Sequence, residues 1–218
     1  MCIVSLLVMF SNKRITAICG YVFLLIGIIM SVWAVFEPRL SGDLAIIEFV
    51  QSMPSDSVKN SMEAARYLGG FGVNLGVILL IFGVFTWRKS FRTGLIFLGV
   101  IPASLGIFIL KELISRPRPG ADYIAIIEAS STGSFPSGHA YQTALLGVLI
   151  LVLFLPIIPY RIIRIVIGSS VFSLVGLVAM SGVYLGVHWP SDVLGSFVFV
   201  FPSAVLSVRL SQNNNLKD

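Results

Sequence analysis

Residues 136–159 read PSGHAYQTALLGVLILVLFLPIIP. From Ala140 to Pro159 no acid or base interrupts the run, and its length matches the roughly 20 residues that a helix needs to cross a bilayer. Five further runs of this kind flank it: Ile15–Phe36, Phe71–Trp87, Thr93–Leu110, Ile165–Val183 and Val193–Leu210. Backbone polar groups in hydrocarbon must be satisfied within the segment, so each run reads as a helix. The expectation is an all-α, six-transmembrane-helix bundle.

Composition agrees. Hydrophobic residues make up 56% of the 218-residue chain and charged residues 11%, against about 25% in soluble domains. Mean hydropathy is +0.96. So much apolar surface needs lipid as its solvent. The net charge of +5 sits in short loops with no basic stripe interleaved with aromatics, which excludes nucleic acid as a partner. Cys2 and Cys19 form neither a metal spacing nor a disulfide framework.

The loops predict an orientation. Lys13, Arg14, Arg88, Lys89, Arg92, Arg161, Arg164, Arg209 and Lys217 fall on one side, nine of fifteen basic residues. The positive-inside rule makes that side cytoplasmic, with both termini on it. Connections 37–70, 111–139 and 184–192 then face outward, and every acidic residue except Asp218 lies with them. The expected layout is a cytoplasmic N-terminal segment at 1–14, a membrane domain at 15–210 and a cytoplasmic tail at 211–218. Met1–Phe10 is apolar but too short to span; it reads as an interfacial segment or a misread start. No small-residue cleavage site follows the first long run, which disfavours a signal peptide. The Asn-rich tail from Gln212 reads as disordered.

Within 37–70, Leu44, Ile47 and Val50 repeat at helical spacing, as do Val58, Met62 and Ala65, with Pro54 between them. This predicts a short helical hairpin, either on the membrane surface or packed over the bundle. Trp33, Trp87 and Trp189 fall at span ends, where interfacial anchors sit.

Three polar clusters interrupt the outer ends of the spans: Lys111-Glu-Leu-Ile-Ser-Arg-Pro-Arg118-Pro119, Pro136-Ser-Gly-His139 and His188-Trp-Pro-Ser-Asp192. The chain's two histidines, His139 and His188, both belong to them. A lone histidine is more often structural, but two in polar clusters on one face fit a nucleophile and a general acid. With Asp192 they make too few ligands for a zinc site. Asp192, four residues after His188, can accept from Nδ1–H and leave Nε2 as the nucleophile; it also suits the N-terminus of the last helix. Ser137 and Gly138 open a helix whose free N–H groups can cradle phosphate oxygens. Lys111 and Arg118 supply positive charge for a phosphoryl group. Each alone also fits a side chain that snorkels to the interface, but two prolines stiffen the loop that carries Arg116 and Arg118.

Together these clusters, K-x6-R-P at 111–119, P-S-G-H at 136–139 and Ser181 to Asp192 along S-R-x5-H-x3-D, resemble the type 2 phosphatidic acid phosphatases. These are membrane lipid phosphatases related to vanadium haloperoxidases, and the likeness runs from about residue 70 to 205. It implies a helical core of that kind and a metal-independent hydrolase without cofactor. Its substrate would be a lipid phosphate or pyrophosphate: phosphatidic acid, phosphatidylglycerol phosphate or undecaprenyl pyrophosphate. His188 would form a phosphohistidine, Asp192 would orient it, and His139 would protonate the leaving oxygen and then activate water. Lys111, Arg118, Ser137 and the Gly138 amide would hold the phosphate.

One position departs from the pattern. Gly182 stands where the family has an arginine that contacts phosphate. Losing one such donor typically costs about 10²–10³ in rate. Arg116 is expected to substitute in part, and Gly182→Arg to raise activity. Gly182 also motivates a second reading, a lipid-binding relative that no longer hydrolyses. A transporter ranks last, because few ionisable residues lie in mid-span.

Overall fold

The computed structural model describes residues 13–52 and 55–214. Met1–Phe10, Pro54 and Lys217 lie outside the described residues. Among those described, every regular element is a helix: α1 Lys13–Phe36, α2 Asp43–Gln51, α3 Asp56–Leu68, α4 Phe71–Trp87, α5 Phe91–Leu98, α6 Val100–Ile114, α7 Gly138–Leu149, α8 Arg161–Tyr184 and α9 Pro190–Asn214.

Among the described residues, five helical stretches are long and apolar enough to cross a membrane: Arg14–Phe36, Phe91–Ile114 (α5 and α6 together), Gly138–Ile157, Arg161–Tyr184 and Pro190–Leu210. The expected second span, α4, has 17 residues, about 26 Å at 1.5 Å per residue. It meets the length of a span only together with α3, from which it is bent by 49°. The count is therefore five, or six when this bent pair is one span. Proline sets several boundaries. Pro190 opens α9, where its missing N–H costs nothing. Past α7 the chain widens into a π turn at Ile150–Phe154 and tightens into a 3-10 turn at Leu155–Ile157, where Pro156 has no N–H to donate.

The span that begins at Gly138 is the centre of the bundle, 61% buried across its window, and α4, α6, α8 and α9 pack around α7. α1 lies along α9, and α3 lies along α8. Close approach depends on glycines. A Cβ at Gly27 would stand 2.7 Å from the Phe199 ring, and one at Gly69 would stand 2.4 Å from Val178. The outer helix α8 buries few residues before Val178, and Ile162, Val166 and Phe172 point outward, a surface suited to lipid tails.

Only one of the three tryptophans behaves as an interfacial anchor. Trp87 is exposed at the end of α4. Trp189 is buried, with its Nε1–H donating to the Pro117 carbonyl at 2.9 Å. Trp33 lies under the Arg116 guanidinium, 4.8 Å from ring centroid to Cζ. The last two serve a polar cluster at one end of the bundle.

Candidate active site

The segments after α6, before α7 and between α8 and α9 meet at one end of the bundle. α6 ends at Ser115 in the left-handed region, φ 49°, which turns the chain back across the bundle end. The Ser134 N–H donates to the Arg116 carbonyl at 2.8 Å, and the Ser137 N–H to the Asp192 carbonyl at 3.3 Å. The Ser196 hydroxyl donates to the carbonyls of Ser137, 2.9 Å, and Asp192, 2.8 Å. Segments remote in sequence are thus tied backbone to backbone, which limits how far the side chains they carry can drift.

The turn that presents His188 needs a glycine. Gly186 has φ +74°, and a Cβ there would stand 2.7 Å from the Ala125 carbonyl oxygen. Next to it, the Leu185 carbonyl accepts the N–H groups of Ile127 and Glu128 at 3.1 and 3.2 Å. Gly186→Ala must therefore adopt a left-handed conformation and push back a docked backbone. The expected cost is about 1–3 kcal/mol of stability, read as a lower thermal midpoint in detergent together with reduced phosphate release.

Lys111, Arg118, Gly138, His139 and His188 line one cavity of about 270 Å³, with Ser130, Thr132 and Gln142 on its wall and Arg66 reaching in from α3. Nothing lies within 4 Å of the Cβ position of Gly138, so its backbone is open to the cavity. Arg118 is fixed by its loops. Nε–H donates to Thr132 O at 2.9 Å, Nη2 to Thr132 Oγ1 and Gly133 O at 3.0 Å each, and Nη1 to Val187 O. A guanidinium has five N–H donors, so one on Nη1 remains for a ligand.

His188 is buried. That burial, and then the charges of Lys111, Arg118 and Arg66, hold its pKa well below the usual 6.5. A lowered pKa leaves the imidazole neutral as pH falls through 6.5, the form a nucleophile needs. The chain has two histidines, so a ¹⁵N-histidine correlation spectrum, assigned with His139→Ala, resolves them. The His188 signals are expected to begin titrating only below pH 6.5.

Asp192 lies behind His188, with Oδ2 at 3.5 Å from Nδ1. That is longer than a hydrogen bond, so the two groups are in register without being bonded. The carboxylate is occupied by other donors: the Trp189 N–H at 2.8 Å and the Ser134 hydroxyl on Oδ2, and Arg116 Nη1 on Oδ1.

Arg116 is not where a phosphate ligand should be. Its side chain is fully buried, outside the cavity wall. Nη1 also donates to Ser191 Oγ at 2.9 Å, Nη2 to Asp43 Oδ2 at 3.3 Å and Nε to Pro38 O at 3.2 Å. It is held between two carboxylates and supports Asp192. The sequence-based assignment of Arg116 as the substitute for the missing arginine is therefore corrected. Ser137 too sits beside the cavity rather than in its wall, since its side chain accepts the Ala140 N–H as an N-cap. The structure thus brings Lys111, Arg118, Gly138, His139 and His188 together, and sets Asp192, Arg116 and Ser137 behind them.

Sequence reasoning missed Arg66, Asp43 and Ser134. Arg66 had a readable signal. Val58, Met62 and Arg66 are spaced four apart, so Arg66 stands on the apolar face of α3, where a charge is out of place unless it has a task. Asp43 and Ser134 carried no comparable signal. Among the described residues, no three His, Cys, Asp or Glu side chains gather to hold a metal ion.

Fold and site together define a multi-pass helical membrane protein with a buried, cation-lined pocket that holds two imidazoles. The sequence model of the PAP2 superfamily matches residues 92–216. Phosphatidylglycerophosphatase B of Bacillus subtilis is 35% identical over 161 residues, 72% of this chain and 77% of the relative. Decaprenylphosphoryl-5-phosphoribose phosphatase of Mycobacterium tuberculosis is 31% identical over 159 residues, 70% and 81% of the two chains. The crystal structure of a transmembrane PAP2-type phosphatidylglycerolphosphate phosphatase from Bacillus subtilis superposes with a TM-score of 0.70 at 27% identity, over 91% of this chain and 97% of that one. LpxE of Aquifex aeolicus shares the fold, with a TM-score of 0.62 at 18% identity over 78% and 96% of the chains. The chain belongs to the PAP2 superfamily, and so to a family of membrane lipid phosphatases.

Proposed function

We propose that this protein hydrolyses a terminal phosphate from a membrane lipid phosphate or pyrophosphate by way of a phosphohistidine on His188. The observation that carries the reading is the shared cavity: two imidazoles face the same pocket as Lys111, Arg118 and the Gly138 backbone. His188 Nε2 attacks phosphorus as the bond from phosphorus to the lipid oxygen breaks, and His139 passes a proton to that oxygen. Water then attacks the phosphohistidine while His139 takes a proton from it, and inorganic phosphate leaves. Lys111, Arg118 and the Gly138 N–H neutralise the equatorial oxygens. Asp192, held by Arg116, Ser134 and Trp189, keeps a negative charge behind the ring, and the positive character that His188 acquires on phosphorylation is stabilised by it. No step as written requires a metal.

In this reading both termini are cytoplasmic and the cavity faces outward, which the distribution of loop charges supports. Phosphatidylglycerol phosphate is our first candidate substrate, a choice supported by the likeness to phosphatidylglycerophosphatase B; phosphatidic acid and undecaprenyl pyrophosphate are the other two. The test is phosphate release by the purified protein from these lipids, with His188→Ala as control. Release from none of them, with lipid binding retained, would leave the lipid-binding reading instead.

A further inference from the structure

We infer that Arg66, on α3, is a phosphate-binding residue of this cavity and stands in for the arginine that position 182 lacks. The inference rests on the hydrolase reading for its substrate, but on geometry for its place. The guanidinium enters the cavity wall beside His188, Lys111 and Arg118. Arg66 is 8% exposed, and its Nη1 is buried without any hydrogen-bond partner. A buried guanidinium donor left unpaired is costly. Arg66 belongs to the wall of a cation-lined pocket, and an anion bound there would supply the acceptor that Nη1 lacks.

Two further observations fix the direction. Glu128 accepts the Arg66 Nε–H on both carboxylate oxygens at 2.9 Å. Glu128 thereby aims the two-nitrogen end of the fork without occupying Nη1. At the other end, a Cβ built on Gly182 would lie 3.6 Å from Arg66 Nη1 and 3.3 Å from His188 Cδ2. Cδ2 is the ring carbon bonded to Nε2, so a side chain at 182 would start between the Arg66 guanidinium and the imidazole edge that carries the nucleophile. The space beside Gly182 is filled by a guanidinium from another helix. An arginine at 182 would enter occupied ground, so Gly182→Arg alone is not expected to raise activity.

The second cavity points the same way. About 520 Å³ in volume, it is lined by Glu63, Tyr67, Gly70, Val73 and Glu128, and shares Arg66 and His139 with the phosphate site. Arg66 therefore stands at the junction of the two, where one guanidinium can hold the phosphate while the rest of a headgroup continues into the wider space.

The experiment uses the full chain in detergent and two readouts. One is the affinity for inorganic orthovanadate, which takes the five-coordinate shape of phosphoryl transfer. The other is kcat/KM for release of phosphate from the lipid panel. Arg66→Ala is expected to lower both by about 10²-fold, the scale for one lost preorganised donor. Glu128→Gln keeps the guanidinium and is expected to lose less than Arg66→Ala. Arg66→Ala with Gly182→Arg is expected to recover at least about tenfold of the loss, because the emptied space now admits the new side chain. If Arg66→Ala does not fold, the near-isosteric neutral variant Arg66→Gln takes its place. Unchanged vanadate affinity in the folded variant, equal losses in Glu128→Gln and Arg66→Ala, or no vanadate binding by the parent would overturn the inference. A parent that binds vanadate through Arg66 but releases no phosphate would instead overturn the hydrolase reading and leave Arg66 as an anion ligand. An active parent indifferent to Arg66 would do the reverse.

Discussion

Arg116→Ala is expected to damage the fold before it damages the chemistry. Its guanidinium lies between Asp192 and Asp43, which are 0% and 2% exposed. Removing it leaves two carboxylates in a dry interior with no cation between them. Deleting one partner of a buried pair typically costs about 3–5 kcal/mol, because the charge left behind keeps its desolvation penalty. Here the Ser191 hydroxyl and N–H still serve Asp43, at 2.6 and 2.9 Å. The Ser134 hydroxyl and Trp189 N–H still serve Asp192. These bonds soften the loss without restoring a positive charge. The thermal midpoint in detergent should fall far more for Arg116→Ala than for Arg66→Ala, and Arg116→Lys should fall between parent and alanine variant, since an ammonium keeps the charge but not the fork. An Arg116→Ala protein with the parent's midpoint and only weaker phosphate binding would return Arg116 to the phosphate site. The order of the two arginines thus separates a residue that builds the site from one that binds in it.

The two arginines also mark what the sequence could reveal. The spans were legible because hydrocarbon imposes a rule on every residue of a helix: apolar side chains throughout, close to 20 at a stretch. α4, with its 17 residues, is where that rule was satisfied least and where the chain relies on the bend to α3. Lys111, Arg118, His139 and His188 were legible because each sits in a polar cluster at the end of an apolar run, and antiparallel helices bring alternate ends together. Arg116 was misplaced because it stands only two positions from Arg118, and in a loop that spacing says nothing about which way each side chain turns. Its partners Asp43 and Asp192 lie 73 and 76 positions away, pairings that no local pattern encodes. Arg66 lay outside the motif segments altogether, and the only trace it left was a charge on the apolar face of a short helix.

The largest effect on turnover is expected at the two histidines, and the two should fail differently. Without the His188 imidazole no phosphoenzyme can form. Single removal of a catalytic nucleophile costs on the order of 10⁴–10⁶ in kcat, so His188→Ala should fall to background on every lipid. Lys111, Arg118 and Arg66 remain, so inorganic phosphate should still bind, whereas vanadate should bind more weakly without the axial bond from His188. His139→Ala removes proton transfer and keeps the nucleophile. A lipid alkoxide is a poor leaving group unless protonated, so phosphoenzyme formation from a phosphomonoester should slow by about 10²–10⁴. The lipid monophosphate that departs when a pyrophosphate link breaks is a good leaving group without that help, so formation from undecaprenyl pyrophosphate should be affected less. Hydrolysis of the intermediate still lacks its base, so His139→Ala given a pyrophosphate substrate should accumulate acid-labile, alkali-stable phosphohistidine. Quenching in alkali and counting protein-bound phosphate measures this directly. Label retained by His188→Ala would assign the nucleophile elsewhere. Equal slowing of His139→Ala on monoester and pyrophosphate, with no label in either, would mean that His139 acts on the cavity's shape and not on the leaving oxygen.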